Sequence, residues 1–558
     1  MALPSTISAA RAMAEGLPTQ LIHEGVKEYP KPEAVKFTYG TAGVRTKGAI
    51  LESVCYRIAL ISALRSKKLG GKTVGLMVTA SHNPEEDNGL KAVDARGEML
   101  ESSWESHCTA AVNATNADEL IAALETLIST AKINLSTPAS VVYGHDTRPT
   151  CPALCKALAS GLAAMGANII DAGLKTTPQL HYLVKALNTK GTPDAYGEPT
   201  EEGYYAKLSA AYISLVSKFP PTSSPLIVDC ANGVGAAALI GLKKHIGEQY
   251  LLIKAQRTDT KTPGALNSGC GADYVKTNQR LPSGYEKESS LAPGERMCSF
   301  DGDADRIVFY YLRGPASQPD SFRLLDGDKI ASLAADYIVE LVKKAGVELE
   351  VGCVQTAYAN GSSTKYLQQR VPVTCTPTGV KHLHAAAERY DVGVYFEANG
   401  HGTVLFSESA QRTIKEAEPS SPAAEDALSQ LSALVELINQ TVGDAISDML
   451  LVEVILRSRQ WGAEDWDGAY EDLPNKLLKV TVKDRFAFKT EDAERKLISP
   501  VGLQAKIDNE VAKYKGARSF VRASGTEDAV RVYAECALAP ELDKLATAVA
   551  RLVQETDV

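Results

Sequence analysis

The chain has no apolar run approaching the ~20 residues a bilayer-spanning helix needs, so nothing in it reads as a membrane anchor. It has no basic excess either. The 59 Lys and Arg residues stand against 68 Asp and Glu, a net charge of -9 with no basic stripe, so neither nucleic acid nor an anionic membrane is the expected partner. The ten cysteines form no CxxC framework, which reads as reduced thiols in the cytoplasm. The opening MALPSTISAARAMAEG lacks the basic segment, apolar core and cleavage pattern of a secretory leader. The sequons at Asn113, Asn134, Asn360 and Asn439 are therefore expected to carry no role.

With 558 residues and 44% hydrophobic composition, the chain is long enough for three to five domains at roughly 100 to 200 residues each. Strand-like runs such as VGLMVTA (74–80), VVYGHD (141–146) and PLIVDC (225–230) alternate with helix-like stretches such as 151–166. That alternation predicts an α/β protein with largely parallel sheets, one plan used more than once. Polar stretches rich in Pro and Gly near 187–203, 312–321 and 411–424 read as linkers. They divide the chain into α/β parts over 1–200, 201–320 and 321–445. The order of strand and helix signals over 446–558 predicts a smaller α+β domain at the end.

Four short motifs carry the chemistry. TASHNP (79–84) follows a buried-looking strand and ends in a proline turn, which places the Ser81 hydroxyl exposed on a loop at a sheet edge. Without a Gly-x-Ser-x-Gly pattern around it, Ser81 reads only weakly as a hydrolase nucleophile, and a lone loop serine is ordinarily a turn element. DGDADR (301–306) sets three carboxylates at alternate positions, which in extended backbone project to one side and converge on a hard cation. A calcium loop would need glycine at the sixth position and glutamate at the twelfth, where Arg306 and Leu312 stand. Three carboxylates leave positions open for a phosphate oxygen, as Mg²⁺ prefers, so the loop points to phosphoryl chemistry. RASGTED (522–528), with Arg531 beyond it, has the composition of a phosphate cradle, and EANGHG (397–402) that of a loop for several sugar hydroxyls. Gly233-Val-Gly235 fits a dinucleotide fingerprint only loosely and reads as a tight strand-to-helix turn.

Together and in this order, the four motifs resemble those of the α-D-phosphohexomutase superfamily, most closely its phosphoacetylglucosamine mutase branch, and the resemblance covers nearly the whole chain. It implies three mixed α/β domains and a C-terminal TATA-binding-protein-like α+β domain around a central cleft. The sugar loop and metal loop differ from the GEESFG and DGDGDR of glucose phosphomutases. TGVKHL (378–383) and LNSGCGADYVK (266–276) also favour the acetylhexosamine branch over the alternative of a phosphoglucomutase or phosphomannomutase. One departure is Ala523, where the family's phosphate loop has proline.

The resemblance implies a phosphorylated Ser81, Mg²⁺ held by Ser81, Asp301, Asp303 and Asp305, and a hexose 1,6-bisphosphate as intermediate and activator. It implies catalytic roles for Arg45, His82, Lys91 and His401, and substrate contacts from Arg306, Thr378, Gly379, Glu397, Asn399 and His401. Phosphate contacts are implied at Arg522, Ser524, Gly525, Thr526 and Arg531. The substrate would be a sugar phosphate and the protein a monomer or homodimer. A binding protein without catalysis would have lost Ser81 or an aspartate, and an aspartyl-phosphate enzyme would need threonine where Asp305 stands.

Overall fold

The run from Val74 to Val78 is buried at every position because strand β2 (Thr73–Val78) lies inside a sheet covered on both faces. Val74, Leu76 and Val78 join the core formed with helix Glu52–Lys68, whereas Met77 packs with Leu180 and Val184 of helix Thr177–Thr189. The period of two is that of a strand between two helical layers. In this computed structural model residues 16–221, 224–285, 291–318, 320–524 and 529–556 are described. They fall into two compact units, Met1–Leu324 with Glu436–Ser458, and Leu325–Val435 with Arg459–Val558.

The first unit holds two sheets. One has β1 (Val44–Lys47), β3 (Asp87–Val93), β2, β4 (Ser140–His145) and β5 (Asn168–Leu174) side by side in that order. Strands β2, β4 and β5 run parallel and β3 runs against β2, so the segment between β2 and β3 turns the chain at the sheet's end. The other sheet has the order β10-β9-β8-β6-β7, from β6 (Leu226–Asp229), β7 (Ile253–Gln256), β8 (Met297–Phe300), β9 (Ile307–Leu312) and β10 (Phe322–Leu325). Here β6 is parallel to β7 and β8, and β9 reverses against β8. Helix Ala445–Arg459 also belongs to this unit and is buried from Ala445 to Arg457. Its start is capped by Asp444, which accepts from the N-H groups of Ile446 (3.0 Å) and Ser447 (3.2 Å).

The second unit repeats the plan. Strands β11 (Val351–Thr356), β12 (Val373–Thr376) and β13 (Val392–Phe396) are parallel, and β14 (Gly402–Phe406) reverses against β13. The closing part is α+β: β15 (Asn475–Thr481), β18 (Arg518–Ala523) and β19 (Ala529–Glu535) form an antiparallel sheet, and β16 (Lys489–Glu491) pairs with β17 (Lys496–Ser499). Helix Ala539–Gln554 covers it through Leu545, Ala546, Val549 and Val553.

Two stretches read as linkers are partly helical. Helix Glu408–Glu416 runs into 411–424, because Ser407 caps it and Ala410 and Ile414 are buried beneath a polar surface. Helix Thr177–Thr189 likewise extends past 187. Among the described residues no helix is long and apolar enough to cross a membrane.

Candidate active site

Three of the four motifs fall on connections between antiparallel neighbours: 79–86 joins β2 to β3, 301–306 joins β8 to β9, and 397–401 joins β13 to β14, while the fourth starts at the end of β18 with Arg522, Ala523 and Ser524. The first two meet inside the first unit. Ser81 has φ of 53°, a left-handed conformation that non-glycine residues seldom hold. Its hydroxyl is not exposed as the sequence suggests. It is buried beneath the β8–β9 connection, with Oγ donating to Asp301 Oδ2 at 2.5 Å and lying 3.5 Å from Asp305 Oδ1.

That close approach needs glycine at 302, where a Cβ would fall 2.6 Å from the Ser81 carbonyl oxygen. Gly233 serves the same packing from the other side, since its Cβ would sit 2.3 Å from the Gly302 oxygen. The Gly-Val-Gly turn is therefore a backbone contact beneath the metal loop.

The three aspartates converge through a turn, not through extended backbone. Asp301 Oδ1 accepts the N-H groups of Asp305 (3.1 Å) and Arg306 (3.2 Å), and Ala304 takes φ of 58°. Oxygens of Asp301, Asp303 and Asp305 come within 4.8 Å of one another, and all three residues are buried. Lys91, brought in on β3, lies with Nζ 3.2 Å from Asp303 and 3.1 Å from Asp305. Arg306 Nε stands 3.9 Å from Asp301 and 3.8 Å from Asp305. Arg45 arrives on β1, paired in register with Gly89 of β3.

The charges are felt in the ionisation of their neighbours. Burial, then Asp305 and Asp303, hold the Asp301 carboxyl well above the usual carboxylate range. Burial, then Arg306, lower Arg45, with the three aspartates opposing. His82 is pushed down to about 2, chiefly by Arg306, then by burial and Arg45, so its imidazole is neutral.

Several residues that hold this arrangement were not singled out from sequence. Arg148, buried two residues after Asp146, donates Nε to Asp146 Oδ2 (3.0 Å) and Nη2 to the carbonyls of Ser81 (2.9 Å) and Asn83 (2.9 Å). Its Nη1 donates to the carbonyls of Pro84 (2.5 Å) and Asp87 (2.8 Å). Asn267 Nδ2 reaches the carbonyls of Ser81 (2.9 Å) and Asn83 (3.0 Å) from the segment between β7 and β8. Thr79 Oγ1 accepts the Ser81 N-H at 3.0 Å and donates to Asp146 at 2.7 Å. Thr177 Oγ1 donates to Asp303 Oδ2 at 2.6 Å, and the Ala445 N-H at the start of the buried helix donates to the Ala304 carbonyl at 3.1 Å. The one sequence signal was Asp and Arg two apart, directly after a buried strand.

The second unit holds the other two motifs. In 397–401, Glu397 N-H donates to the His401 carbonyl (2.9 Å), and Asn399 Oδ1 accepts the His401 N-H (3.0 Å), so the asparagine carbonyl shapes its own loop. His401 is buried. Thr378 and Gly379 precede helix Val380–Ala387, Gly379 with φ of 127°. Arg522 and Arg531 are register partners across β18 and β19. Ser524 is buried, its N-H donating to the Ala529 carbonyl at 2.8 Å. Gly525 and Thr526 lie outside the described residues.

Family models match over most of the chain. Residues 194–308 and 326–461 match domains II and III of phosphoacetylglucosamine mutase AMG1. Residues 58–119 and 108–192 match the alpha/beta/alpha domain I of phosphoglucomutase/phosphomannomutase, and 477–552 its C-terminal domain. The chain is 46% identical over 552 residues to the phosphoacetylglucosamine mutase of Candida albicans, covering 96% of this chain and 99% of that one. The chain belongs to the phosphoacetylglucosamine mutase family. Among solved structures it is similar to Aspergillus fumigatus N-acetylphosphoglucosamine mutase in complex with GlcNAc-6P and magnesium, at 50% identity and a TM-score of 0.92, covering 98% of this chain and 100% of that one. A serine-to-alanine form of that enzyme, in complex with glucose 1,6-bisphosphate, matches with the same figures of 50% and 0.92 over 98% and 100% of the two chains.

The residues present fit a magnesium ion of the kind that the family's solved relative holds. Asp301, Asp303 and Asp305 offer hard oxygen donors in a buried cluster, and Asp303 Oδ1 accepts no hydrogen bond among the described residues. Three carboxylates packed this closely repel one another, and a divalent cation among them relieves that repulsion.

Proposed function

We propose that this chain interconverts N-acetylglucosamine 6-phosphate and N-acetylglucosamine 1-phosphate through the 1,6-bisphosphate, with Ser81 carrying the phosphoryl group, and so feeds UDP-N-acetylglucosamine synthesis. Family membership supports the substrate class. The observation that carries the mechanism is the Ser81 hydroxyl, 2.5 Å from Asp301 inside a buried triad of carboxylates. Mg²⁺ held by Asp301, Asp303, Asp305 and an oxygen of the phosphate on Ser81 would supply charge neutralisation to the group in transfer.

A sugar hydroxyl attacks the phosphorus on Ser81. The bond from phosphorus to the sugar oxygen forms, the bond to Ser81 Oγ breaks, and the hydroxyl proton passes to a side-chain base. The bisphosphate then presents its other phosphate to Ser81 Oγ, and the same exchange runs in reverse. Lys91 and Arg45, both cations on strands beside Ser81, stabilise charge on the transferring oxygens, and Arg306 adds a third guanidinium or ammonium to that field. His401 is the imidazole assigned to proton transfer, since the Arg306 guanidinium and burial that push His82 down to about 2 leave it a weak base.

Glu397, Asn399 and His401, with Thr378 and Gly379, take the sugar. Arg522, Ser524, Gly525, Thr526 and Arg531 take the phosphate that is not reacting. Arg522 and Arg531 face each other across the antiparallel pair, where like charges are unfavourable until an anion lies between them. Ten cysteines without disulfides support a cytoplasmic enzyme.

The test is mass spectrometry of the purified protein together with kinetics of Ser81→Ala. One phosphate is expected on the peptide containing Ser81, and turnover of the variant should fall at least ~100-fold with the fold retained. An unphosphorylated but active protein, or a variant within ~10-fold of the parent, would remove Ser81 from the mechanism.

A further inference from the structure

The hairpin of β16 and β17 is turned by Asp492, Ala493 and Glu494, with φ of 53°, 53° and 69°. Three consecutive non-glycine residues in the left-handed region are disfavoured, and local contacts must hold them there. Arg495 supplies one contact by donating Nε to the Asp492 carbonyl at 3.0 Å and Nη2 to its carboxylate at 2.5 Å. Glu494 supplies the other, and its partners are residues assigned to the substrate. Glu494 Oε2 accepts both the N-H (3.0 Å) and the hydroxyl (2.5 Å) of Thr378. Its Oε1 lies 3.4 Å from Arg522 Nε, and both side chains are only 17% exposed.

We propose that Glu494 is a positioning residue that sets Arg522 for phosphate while anchoring Thr378 at the sugar. This rests on the reading of Arg522 as part of the phosphate cradle. The geometry explains how one carboxylate does both. A guanidinium binds phosphate best through two parallel N-H groups, and an ion pair on its Nε side, with no hydrogen bond formed there among the described residues, leaves the Nη edge to do so. Tyr358, with its ring centroid 6.0 Å from the guanidinium, flanks the same group. A carboxylate beside Arg522 also offsets part of the repulsion between Arg522 and Arg531 while the cradle is empty. Because Thr378 offers Glu494 two donors, the orientation of Arg522 is tied to the loop that starts helix Val380–Ala387.

The experiment compares Glu494→Gln, Glu494→Ala, Arg522→Ala and the double variant Glu494→Gln/Arg522→Ala in the full-length enzyme. It reads kcat and KM for N-acetylglucosamine 6-phosphate and competitive inhibition by inorganic phosphate. Glutamine keeps the shape and an acceptor for Thr378 but loses the charge facing Arg522. Expected is a rise in KM of about 5- to 20-fold for Glu494→Gln, with kcat within about twofold and inhibition by phosphate weakened in parallel. No further rise is expected when the change is added to Arg522→Ala. A merely structural role for the hairpin would lower kcat or the melting temperature without this split. An unchanged KM in Glu494→Gln beside a raised one in Arg522→Ala would overturn the role of Glu494 and leave the cradle standing, as would additive effects in the double variant. A lowered KM would show the carboxylate competing with substrate, the opposite of positioning. An unchanged KM in Arg522→Ala would remove the cradle itself.

Discussion

Arg148 uses all five of its N-H donors on the loop it supports: one on Asp146 and four on the carbonyls of Ser81, Asn83, Pro84 and Asp87. A guanidinium is the one side chain able to do this, because its donors leave in a fixed planar fork. The consequence is a Ser81 whose left-handed backbone is held by its own carbonyl. Arg148→Lys keeps the charge but offers three donors in place of five, so at least two of these buried acceptors lose the donor Arg148 supplies, at about 0.5 to 1.5 kcal/mol each. Ser81 should relax from its place, and kcat should fall roughly 10- to 100-fold with KM within about twofold, since misplacement acts on the transfer step. Steady-state kinetics decide it, and an unchanged kcat would show that the loop holds Ser81 without Arg148. This residue also marks how far the sequence could be read. Ser81, the three aspartates and Lys91 sit in contiguous motifs whose residue types declare their chemistry. Arg148, Asn267, Thr177 and Glu494 reach Asn83, Ser81, Asp303 and Thr378 across 65, 186, 126 and 116 positions, and beyond the Asp-x-Arg spacing at Arg148 nothing local marks those roles.

At the scale of elements, the sheets share one device. In each α/β sheet the parallel set is bordered by a reversed strand, β3, β9 or β14, and one of the sequence motifs sits where the direction changes. The alternation of strand and helix signals was enough to predict parallel α/β sheets. The reversed strands were not legible, because a buried strand reads the same in either direction. Gly302 shows how tightly two such connections are apposed. It has no left-handed backbone to protect, so Gly302→Ala tests contact alone: the new methyl would meet the Ser81 carbonyl oxygen at 2.6 Å and Asn267 Nδ2 at 2.9 Å. Because the first of these is backbone, the metal loop must draw back by several tenths of an ångström. We expect kcat to fall on the order of 100-fold and half-maximal Mg²⁺ to rise, measured by titrating the metal against turnover. Unaltered metal dependence would show that the two connections move independently.

At the scale of the molecule, the chain leaves the first unit after Leu324, returns for Glu436–Ser458 and leaves again. Helix Ala445–Arg459 brings back Ile446, Met449, Leu450, Leu451, Val452, Val454, Ile455 and Leu456, all buried. At about 1.5 to 3 kcal/mol each these side chains represent roughly 12 to 24 kcal/mol of gross burial that the first unit lacks without the helix. A chain ending at residue 435 should therefore fail to fold its first unit, seen as lost near-ultraviolet dichroism and absent amide protection in β2 and β8. A protected, cooperative core in that fragment would overturn the assignment.

The same helix fixes an order of events during synthesis. The metal loop is made about 140 residues before the segment whose first N-H supports it, which at about 5 to 20 residues per second is a delay of roughly 7 to 30 s. Over that interval the apolar face awaiting the helix is uncovered and the Ala304 carbonyl lacks its N-H donor, while the first strands of the next unit are already being added. The nascent chain thus passes through a window in which the apolar face that this helix will cover stands open, and chaperone occupancy should peak there.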